Sequence, residues 1–386
     1  MPAPITVLLV TNYRPDAQYS MLRFSSLLTK HGQEEGIRFR ETTPQPKLNR
    51  KYAPKKFRKW LGYADKFLLF PQKLKSETKR FAREAPGSTI LHVVDHSNSL
   101  YLRESQDSLP NLLTCHDLIA VQSALGEFPS IRLSFTGKSL QRIIRSSITF
   151  ADHIACDSQS TETQLHRICP EVSNRSNTIP LGLPIDSIST RPLRDPPFPI
   201  ESTKFLLHVG NSAWYKNRKT VIQGFLLAYQ RSPEENRKLI LVGPPPSKEE
   251  TSEVCSSTLL QFKKHIHILS NINDPALNHL YENAEAFLFP SLLEGFGWPP
   301  LEAQSHGCPV IASHAGSLKE VLADSCLVVD PEDPQSLAIA IEKLSSDSIT
   351  HDRLKRKGLE NASRFSFGIT ARKYANTYRM LIKQVQ

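Results

Sequence analysis

The stretch Phe289-Pro-Ser-Leu-Leu-Glu294-Gly295-Phe296-Gly297-Trp298-Pro-Pro-Leu-Glu302-Ala303 decides the reading of this chain. A buried strand ends at Phe289, a glycine-rich turn follows, and a helix begins near Pro299. That geometry aims the N–H groups of the turn and the positive end of the helix at one point, which suits a diphosphate. Gly295 and Gly297 let the backbone approach a ligand closely. Pro299 and Pro300 carry no N–H, so the useful donors are the amides of Gly295, Phe296, Gly297, Trp298 and Leu301. Glu294 ends the strand, and Glu302 follows about one turn into the helix. Two carboxylates beside a phosphate-binding turn would repel the phosphate. They match hydroxyls better, one set on a sugar ring and one on a ribose.

Outward from this stretch, short apolar runs alternate with helical patterns. Candidate strands are Ile5–Thr11, Ile37–Thr42, Thr89–Val94, Leu112–His116 and His153–Asp157, then Lys204–Gly210, Lys238–Gly243, Ile266–Leu269, Ala286–Pro290, Pro309–Ser313 and Cys326–Asp330. Continuous Val/Ile/Leu runs are the mark of parallel strands covered on both faces. Ala17–Lys30, with Met21, Phe24, Leu27 and Leu28 on one face, reads as a helix. Asp274-Pro275 reads as an N-cap followed by a proline at the first helical position, and Ser317-Leu-Lys-Glu320 as a capping box. Between the two series, Pro184, Pro192, Pro196, Pro197 and Pro199 mark an extended linker. The fold class is therefore α/β, with two doubly wound domains in tandem facing across a cleft. The boundaries fall at 1–185, a Pro-rich linker at 186–202, a second domain at 203–365 and a terminal segment at 366–386.

The segment Glu294–Ala303 resembles the E-G-F-G-x-P-x-L-E-A form of the E-x7-E signature of retaining glycosyltransferases of family four, which have the GT-B fold of two Rossmann-like domains. Leu280-Tyr-Glu-Asn-Ala284, Phe287-Leu-Phe-Pro-Ser291, Gly307-Cys-Pro-Val-Ile-Ala312, Ser317-Leu-Lys-Glu-Val321 and Leu327-Val-Val-Asp-Pro331 extend the resemblance over residues 200–386; residues 1–200 resemble the family more loosely. The resemblance implies that Glu294 contacts hydroxyls of the transferred sugar, that Glu302 binds the ribose, and that the amides of Gly295, Phe296 and Gly297, with Leu301, serve the donor. It makes residues 1–185 the acceptor domain and 203–365 the nucleotide-sugar domain. The segment 366–386, with Phe365-Ser-Phe367 and Tyr374, resembles the last helix of the family, which crosses back to the first domain.

A second stretch, His208-Val-Gly210-Asn211-Ser-Ala-Trp-Tyr215-Lys216-Asn217-Arg218, again joins a strand, a glycine turn and a basic residue ahead of a helix. A cation here would neutralise charge developing on a leaving diphosphate. The family usually carries Gly-Arg after this strand and a lysine several residues on. Lys216 matches the lysine and is the expected catalytic cation. Asn211 replaces the arginine, and Arg218 is the candidate for the second charge. In the first domain, His116-Asp117 closes a strand; the resemblance gives His116 a place against the transferring sugar and Asp117 one beside the acceptor. Asp95, His96 and Asn98 follow another strand and are expected near the acceptor. Ser158-Gln-Ser160 is explained as well by helix capping as by a ligand. The first βα turn, Thr11 to Ser20, lacks the Gly-Gly pair common in the family, so Arg14 and Asp16 are the expected acceptor contacts there.

The mechanism implied is retaining transfer from a UDP-, GDP- or ADP-sugar. Lys216 would hold the leaving phosphate while that phosphate takes the acceptor proton on the same face. No cofactor and no metal are expected, because no Asp-x-Asp or His/Cys cluster asks for one. Base recognition is expected from the backbone near Ser270–Asn273. A nucleotide-sugar epimerase, or a non-catalytic nucleotide-sugar-binding relative, would use the same fold. The first needs a base acting on the sugar and no acceptor; the second would tolerate the missing arginine at Asn211.

The net charge is +10. From Lys47 to Arg83 basic residues face only Asp65 and Glu77, and Phe57, Trp60, Leu61, Phe67, Leu68, Leu69 and Phe70 interleave with them. Such a segment suits an anionic membrane surface or a lipid-phosphate acceptor; a solvated surface with core aromatics fits the same letters, and nucleic acid is not expected. No apolar run approaches the ~20 residues of a membrane helix. The run Ile5–Val10 is too short for a signal peptide. The six cysteines are scattered singly, and Asn174-Arg-Ser and Asn361-Ala-Ser match glycosylation sequons by chance. The expected location is cytoplasmic, peripheral on the inner face of the membrane, with a glycan or lipid-linked acceptor. The oligomeric state is not legible.

Overall fold

The structure of the protein, a computed structural model, describes residues 4–49, 54, 56–106, 108–184, 203–233, 237–245 and 263–385. The linker expected at 186–202 and Cys255 lie outside them. The chain forms two compact units, Met1–Gly182 with Phe367–Gln386, and Leu183–Ser366.

The first unit holds six parallel strands: β1 Thr6–Val10, β2 Arg38–Thr42, β3 Thr89–Val93, β4 Asn111–Cys115, β5 His153–Cys156 and β6 Ser176–Thr178. Their order is β2-β1-β3-β4-β5-β6, so the direction of winding reverses between β1 and β3. Central strands β3 and β4 are buried along their whole length, as helices on both faces require. The helix over Tyr19–Glu34 seals one face with Phe24 and Leu28. It starts two residues later than the apolar period suggests, because Ala17 turns the chain through a left-handed φ of 52°.

Strand β6 has no counterpart among the expected strands. Its residues are polar and half-buried, and the backbone ladder to β5 makes it a strand. Thr178 Oγ1 also donates to Glu162 at 2.6 Å.

The helix Phe367–Val385 covers the same sheet. Phe367, Tyr374 and Tyr378 are fully buried, each contributing about 1.5–3 kcal/mol of apolar burial. The Tyr374 hydroxyl meets Thr114 Oγ1 at 3.0 Å, and the Tyr378 hydroxyl meets His92 Nδ1 at 2.7 Å. His92 Nε2 reaches Thr114 Oγ1 at 2.8 Å. Burial, then the charge of His116, pushes His92 down to about 3, so it sits in the core as a neutral ring.

The second unit repeats the plan with β7 Phe205–Val209, β8 Lys238–Val242, β9 Ile266–Leu269, β10 Ala286–Phe289, β11 Val310–Ala312 and β12 Leu327–Val328, all parallel, in the order β12-β11-β10-β7-β8-β9. Here the winding reverses between β7 and β10. Two local readings are corrected. The cap of helix Asp274–Asn283 is Asn273, whose Oδ1 accepts from Ala276 N; Asp274 already lies inside the helix. Ser317 forms no capping box, because its hydroxyl is taken by the carbonyls of Glu294 and Phe296.

Candidate active site

In an open α/β sheet, ligands bind beyond the carboxyl ends of the strands where the winding reverses. Lys216 and Glu294 in the second unit, and Arg14, Asp16, Asp95 and His96 in the first, follow strands that flank such a reversal, whereas His116 and Asp117 follow β4.

In the second unit the reversal lies between β7 and β10. The turn after β7 carries Lys216, and the turn after β10 carries Glu294. Lys216 Nζ donates to Glu294 Oε1 at 2.8 Å and to Oε2 at 3.0 Å, with both side chains largely withdrawn from solvent. The ammonium also lies 5.1 Å from the Phe289 ring centroid and 5.5 Å from that of Tyr215. Backbone ties hold the two turns together: Leu292 N donates to Tyr215 O at 2.8 Å. Asn217, at a left-handed φ of 54°, donates from Nδ2 to the carbonyls of Pro290 and Pro331.

The helix opened by the E-G-F-G turn runs Trp298–Ser305, with Gly297 as its N-cap at a φ of 100°. An L side chain there would be strained and would also meet Leu318 at 2.6 Å. The side chains of Phe296 and Leu301 are buried, so these residues offer only backbone to a ligand. Glu302 is nearly buried in the same helix and accepts from the Tyr281 hydroxyl at 3.2 Å. Gly316 and Ser317 back the turn. Ser317 Oγ donates to Phe296 O at 2.8 Å and Glu294 O at 3.2 Å. A Cβ on Gly316, whose φ is 59°, would stand 2.4 Å from Glu294 O.

Asn211 and Arg218 shape the other wall. Asn211 Oδ1 accepts from Ala213 N at 3.0 Å, closing an Asx-turn and adding no charge. Arg218 is 3% exposed. Its Nη1 donates to Ser212 Oγ at 3.0 Å and Pro244 O at 3.1 Å, joining the turns after β7 and β8. Its charge reaches the site through space: burial, with the Arg218 and Lys216 charges, pushes His208 down to about 3. His208 Nδ1 lies 2.9 Å from Leu288 O, and a Cβ on Gly210 would stand 3.0 Å from its Nε2. The ring thus supports the turn from below as a neutral imidazole.

In the first unit the reversal lies between β1 and β3. Asn12, just after β1, donates to Asp95 Oδ2, just after β3, at 2.5 Å. Asp95 Oδ1 also caps the following turn through Ser97 N at 2.8 Å and lies 3.5 Å from His96 Nδ1. His116 Nδ1 lies 2.5 Å from Asp157 Oδ2, and its Nε2 lies 2.8 Å from Val94 O. Both partners are acceptors, so a doubly protonated ring satisfies both. Burial opposes that charge, but Asp157 and then Asp95 outweigh it and lift His116 to about 9. Burial pushes the Asp157 carboxyl up as well. Both ring nitrogens of His116 are thus engaged, one by Asp157 and one by Val94. Asn12 Oδ1 and Asp157 Oδ1 are buried without hydrogen-bond partners among the described residues, an arrangement that suits a polar ligand. Asp117 is spent locally, accepting from Ile119 N at 3.0 Å. Ser158 caps its helix through Thr161 N. Asn98 is buried in the turn after β3, its N–H on Asp95 O at 2.9 Å. Arg14 and Asp16 form a 3-10 turn after β1, and Asp16 pairs with Lys66 at 2.6 Å.

Asn12, Asp157, His208, Asn217, Gly316 and Ser317 were not among the expected site residues. Asp157 was legible only as the end of an expected strand; its place beside His116 comes from the pairing of β4 with β5. Among the described residues no group of His, Cys, Asp and Glu could hold a metal, and no helix is long and apolar enough to cross a membrane.

The family model for Glycosyl transferases group 1 matches residues 191–361. The O-antigen chain mannosyltransferase B of Escherichia coli is 30% identical over 281 residues, covering 69% of this chain and 70% of that protein. The chain belongs to the group 1 glycosyl transferases. The D-inositol 3-phosphate glycosyltransferase of Corynebacterium glutamicum (strain R) is 26% identical over 283 residues, 70% of this chain and 66% of that protein. Among solved structures, sucrose-phosphate synthase from Thermosynechococcus elongatus superposes with a TM-score of 0.72 at 19% identity, covering 98% of this chain and all of that one. Anabaena Alr3699/HepE, in complex with UDP and glucose, gives 0.72 at 14% identity, with 97% and 99% covered. The fold of this glycosyl transferase is thus GT-B, and the chain is an enzyme. The family model covers β7 to β12 and with them Lys216, Glu294 and Glu302.

Proposed function

We propose that this glycosyl transferase is a retaining enzyme of family four, with Glu294 and Glu302 as its E-x7-E pair. It moves a hexose-type sugar, a mannosyl group in the first instance, from a nucleotide-sugar donor to a glycan or lipid-linked acceptor in cell-envelope or exopolysaccharide synthesis. The donor binds residues 203–365, the acceptor binds residues 1–185, and residues 186–202 are the linker. The observation that carries the donor side is the Lys216–Glu294 pair at the β7/β10 reversal. The similarity to an O-antigen mannosyltransferase supports the choice of sugar and acceptor class.

The pair has a chemical logic. Without donor, each partner neutralises the other. A bound diphosphate takes over the Lys216 ammonium, freeing Glu294 to accept hydrogen bonds from sugar hydroxyls. Lys216 then meets the negative charge that grows on the leaving phosphate, a stabilisation that is strongest in the transition state. The leaving phosphate, on the same face as the incoming hydroxyl, takes its proton. Glu302, steadied by Tyr281, holds the ribose, and Asp95 with the His116–Asp157 pair orients the acceptor and sugar. Peripheral contact with an anionic membrane is supported by Phe57, Trp60 and Leu68, each more than half exposed within the basic segment.

A thermal-shift screen of UDP-, GDP-, ADP- and TDP-sugars against wild type and Glu302→Ala tests this. One nucleotide class stabilising wild type but not the variant is the expected result. No stabilisation by any of them at several millimolar would overturn the donor site. The anomeric configuration of the product, read by NMR against that of the donor, tests retention.

A further inference from the structure

Beside the β1/β3 reversal the first unit carries a second concave feature that the donor chemistry leaves unused. A cavity of about 430 Å³ is lined by Tyr13, Asp16, Asn49, Arg58, Lys59, Tyr63 and Lys66, together with Pro15 and Gly62. We propose that this cavity binds the phosphate or diphosphate group of a phosphorylated acceptor. The proposal rests on the reading of residues 1–185 as the acceptor side.

The charge balance of the lining favours an anion. Arg58, Lys59 and Lys66 face one carboxylate, Asp16, already paired with Lys66 at 2.6 Å. Lys66 is half-buried among three rings, 5.7 Å from the centroid of Tyr13, 5.2 Å from Tyr63 and 5.5 Å from Phe67. The rings and Asp16 fix that ammonium at one wall. Lys59 also lies over the Tyr63 ring, 5.8 Å from its centroid. Arg58 adds a planar fork suited to two phosphate oxygens.

The walls are set before any ligand arrives. Asp65, 1% exposed, accepts from the Tyr13 hydroxyl at 3.1 Å, from Leu48 N at 2.8 Å and from Asn49 N at 3.0 Å. One buried carboxylate thus pins the first βα loop, the 48–49 strap and the helix Arg58–Ala64 around the cavity. Tyr13 and Asn49 pack beside Gly62, where an added Cβ would sit at ordinary contact distance, 3.5 Å from each. Tyr13 follows Asn12, the residue bonded to Asp95, so a phosphate in the cavity places the rest of an acceptor beside the strand ends of that sheet. The volume is in the range of small-ligand sites and admits a sugar phosphate or a diphosphate with its first attached group.

The test uses the full chain carrying Lys216→Met, so that the donor site does not report. Inorganic pyrophosphate is titrated calorimetrically into this protein and into the same protein with Arg58→Gln and Lys59→Gln, two exposed positions whose change leaves the fold intact. A loss of affinity of more than about tenfold on adding the two changes is expected. Equal affinity, or no pyrophosphate binding to either protein, would overturn the proposal. Two further titrants separate the sources of the group. Mannose 1-phosphate binding with the same sensitivity identifies a soluble sugar phosphate; farnesyl diphosphate in detergent micelles binding more tightly than pyrophosphate identifies a lipid diphosphate. Binding only to phosphatidylglycerol vesicles would replace the cavity with a membrane contact. Thermal stabilisation by the nucleotide donor, measured with Arg58→Gln/Lys59→Gln in an otherwise wild-type chain, stays unchanged if only this proposal fails. It is absent in wild type too if the transferase reading fails.

Discussion

Lys216 Nζ lies within 3.0 Å of both carboxylate oxygens of Glu294, across the point where the second sheet reverses its winding. Two turns whose pairing residues lie 78 positions apart in sequence are therefore joined. Removing either partner leaves the other largely withdrawn from water and unpaired. Lys216→Met and Glu294→Gln should each lower kcat by about 10²–10³. The double variant should lose less than the product of the two, because each change already breaks the pair. Steady-state kinetics of the three proteins, with circular dichroism to check the fold, measures this. Fully multiplicative losses would argue that the two residues act separately.

Gly316 is the residue on which the shape of the Glu294 turn rests. Gly316→Ala imposes a side chain at a φ of 59° and drives its Cβ onto the Glu294 carbonyl. Stability should fall by about 1–3 kcal/mol, and donor affinity should fall with it. Ser317→Ala, which removes the hydroxyl bonds to the Glu294 and Phe296 carbonyls and leaves the backbone bond from Ser317 N to Glu294 O, should cost about 1–2 kcal/mol. Urea unfolding and donor titration together check both. A stable Gly316→Ala protein with normal donor affinity would show that the turn tolerates displacement.

His116 gives the protein an alkaline limit. Its folded pKa of about 9 lies above the ordinary histidine value of 6.5. Between those values the native chain keeps a proton that the unfolded chain has lost. The stabilisation is complete below about 6.5 and disappears as pH rises through about 9. The unfolding free energy of wild type should decline over that window, and His116→Gln should flatten the decline. A slope unaffected by the substitution would assign the alkaline loss to other groups.

The helix Phe367–Val385 is fastened to the first sheet by a buried polar contact. Tyr378→Phe leaves His92 Nδ1 without its hydroxyl partner and should cost about 1–3 kcal/mol. Donor affinity should stay normal, since the second unit is untouched. A donor affinity reduced in proportion to stability would contradict that separation.

The strands of both sheets were legible because parallel strands buried on both faces are written as continuous apolar runs; β3 and β4 are fully buried. Strand β6 was not, since its polar residues owe their conformation to the β5 ladder. The glycine turn at 294–297 was legible from its local chemistry. The His116–Asp157 pair was not, because it depends on β4 and β5 lying side by side, which no local period encodes. Ser317 satisfied a capping pattern yet bonds the turn, since the carbonyls of Glu294 and Phe296 compete for its hydroxyl. Arg218, expected as a second clamp, is buried as a brace between two turns. In each of these cases tertiary contact decided between local alternatives that the residue types left open.

The most direct measurement is a calorimetric titration of the nucleotide-sugar that best stabilises the protein, into wild type, Lys216→Met and Glu302→Ala. Saturable binding to wild type that weakens by more than about tenfold in each variant is the predicted result. Binding that persists unchanged in both variants would place the donor elsewhere and contradict the site built on Lys216, Glu294 and Glu302.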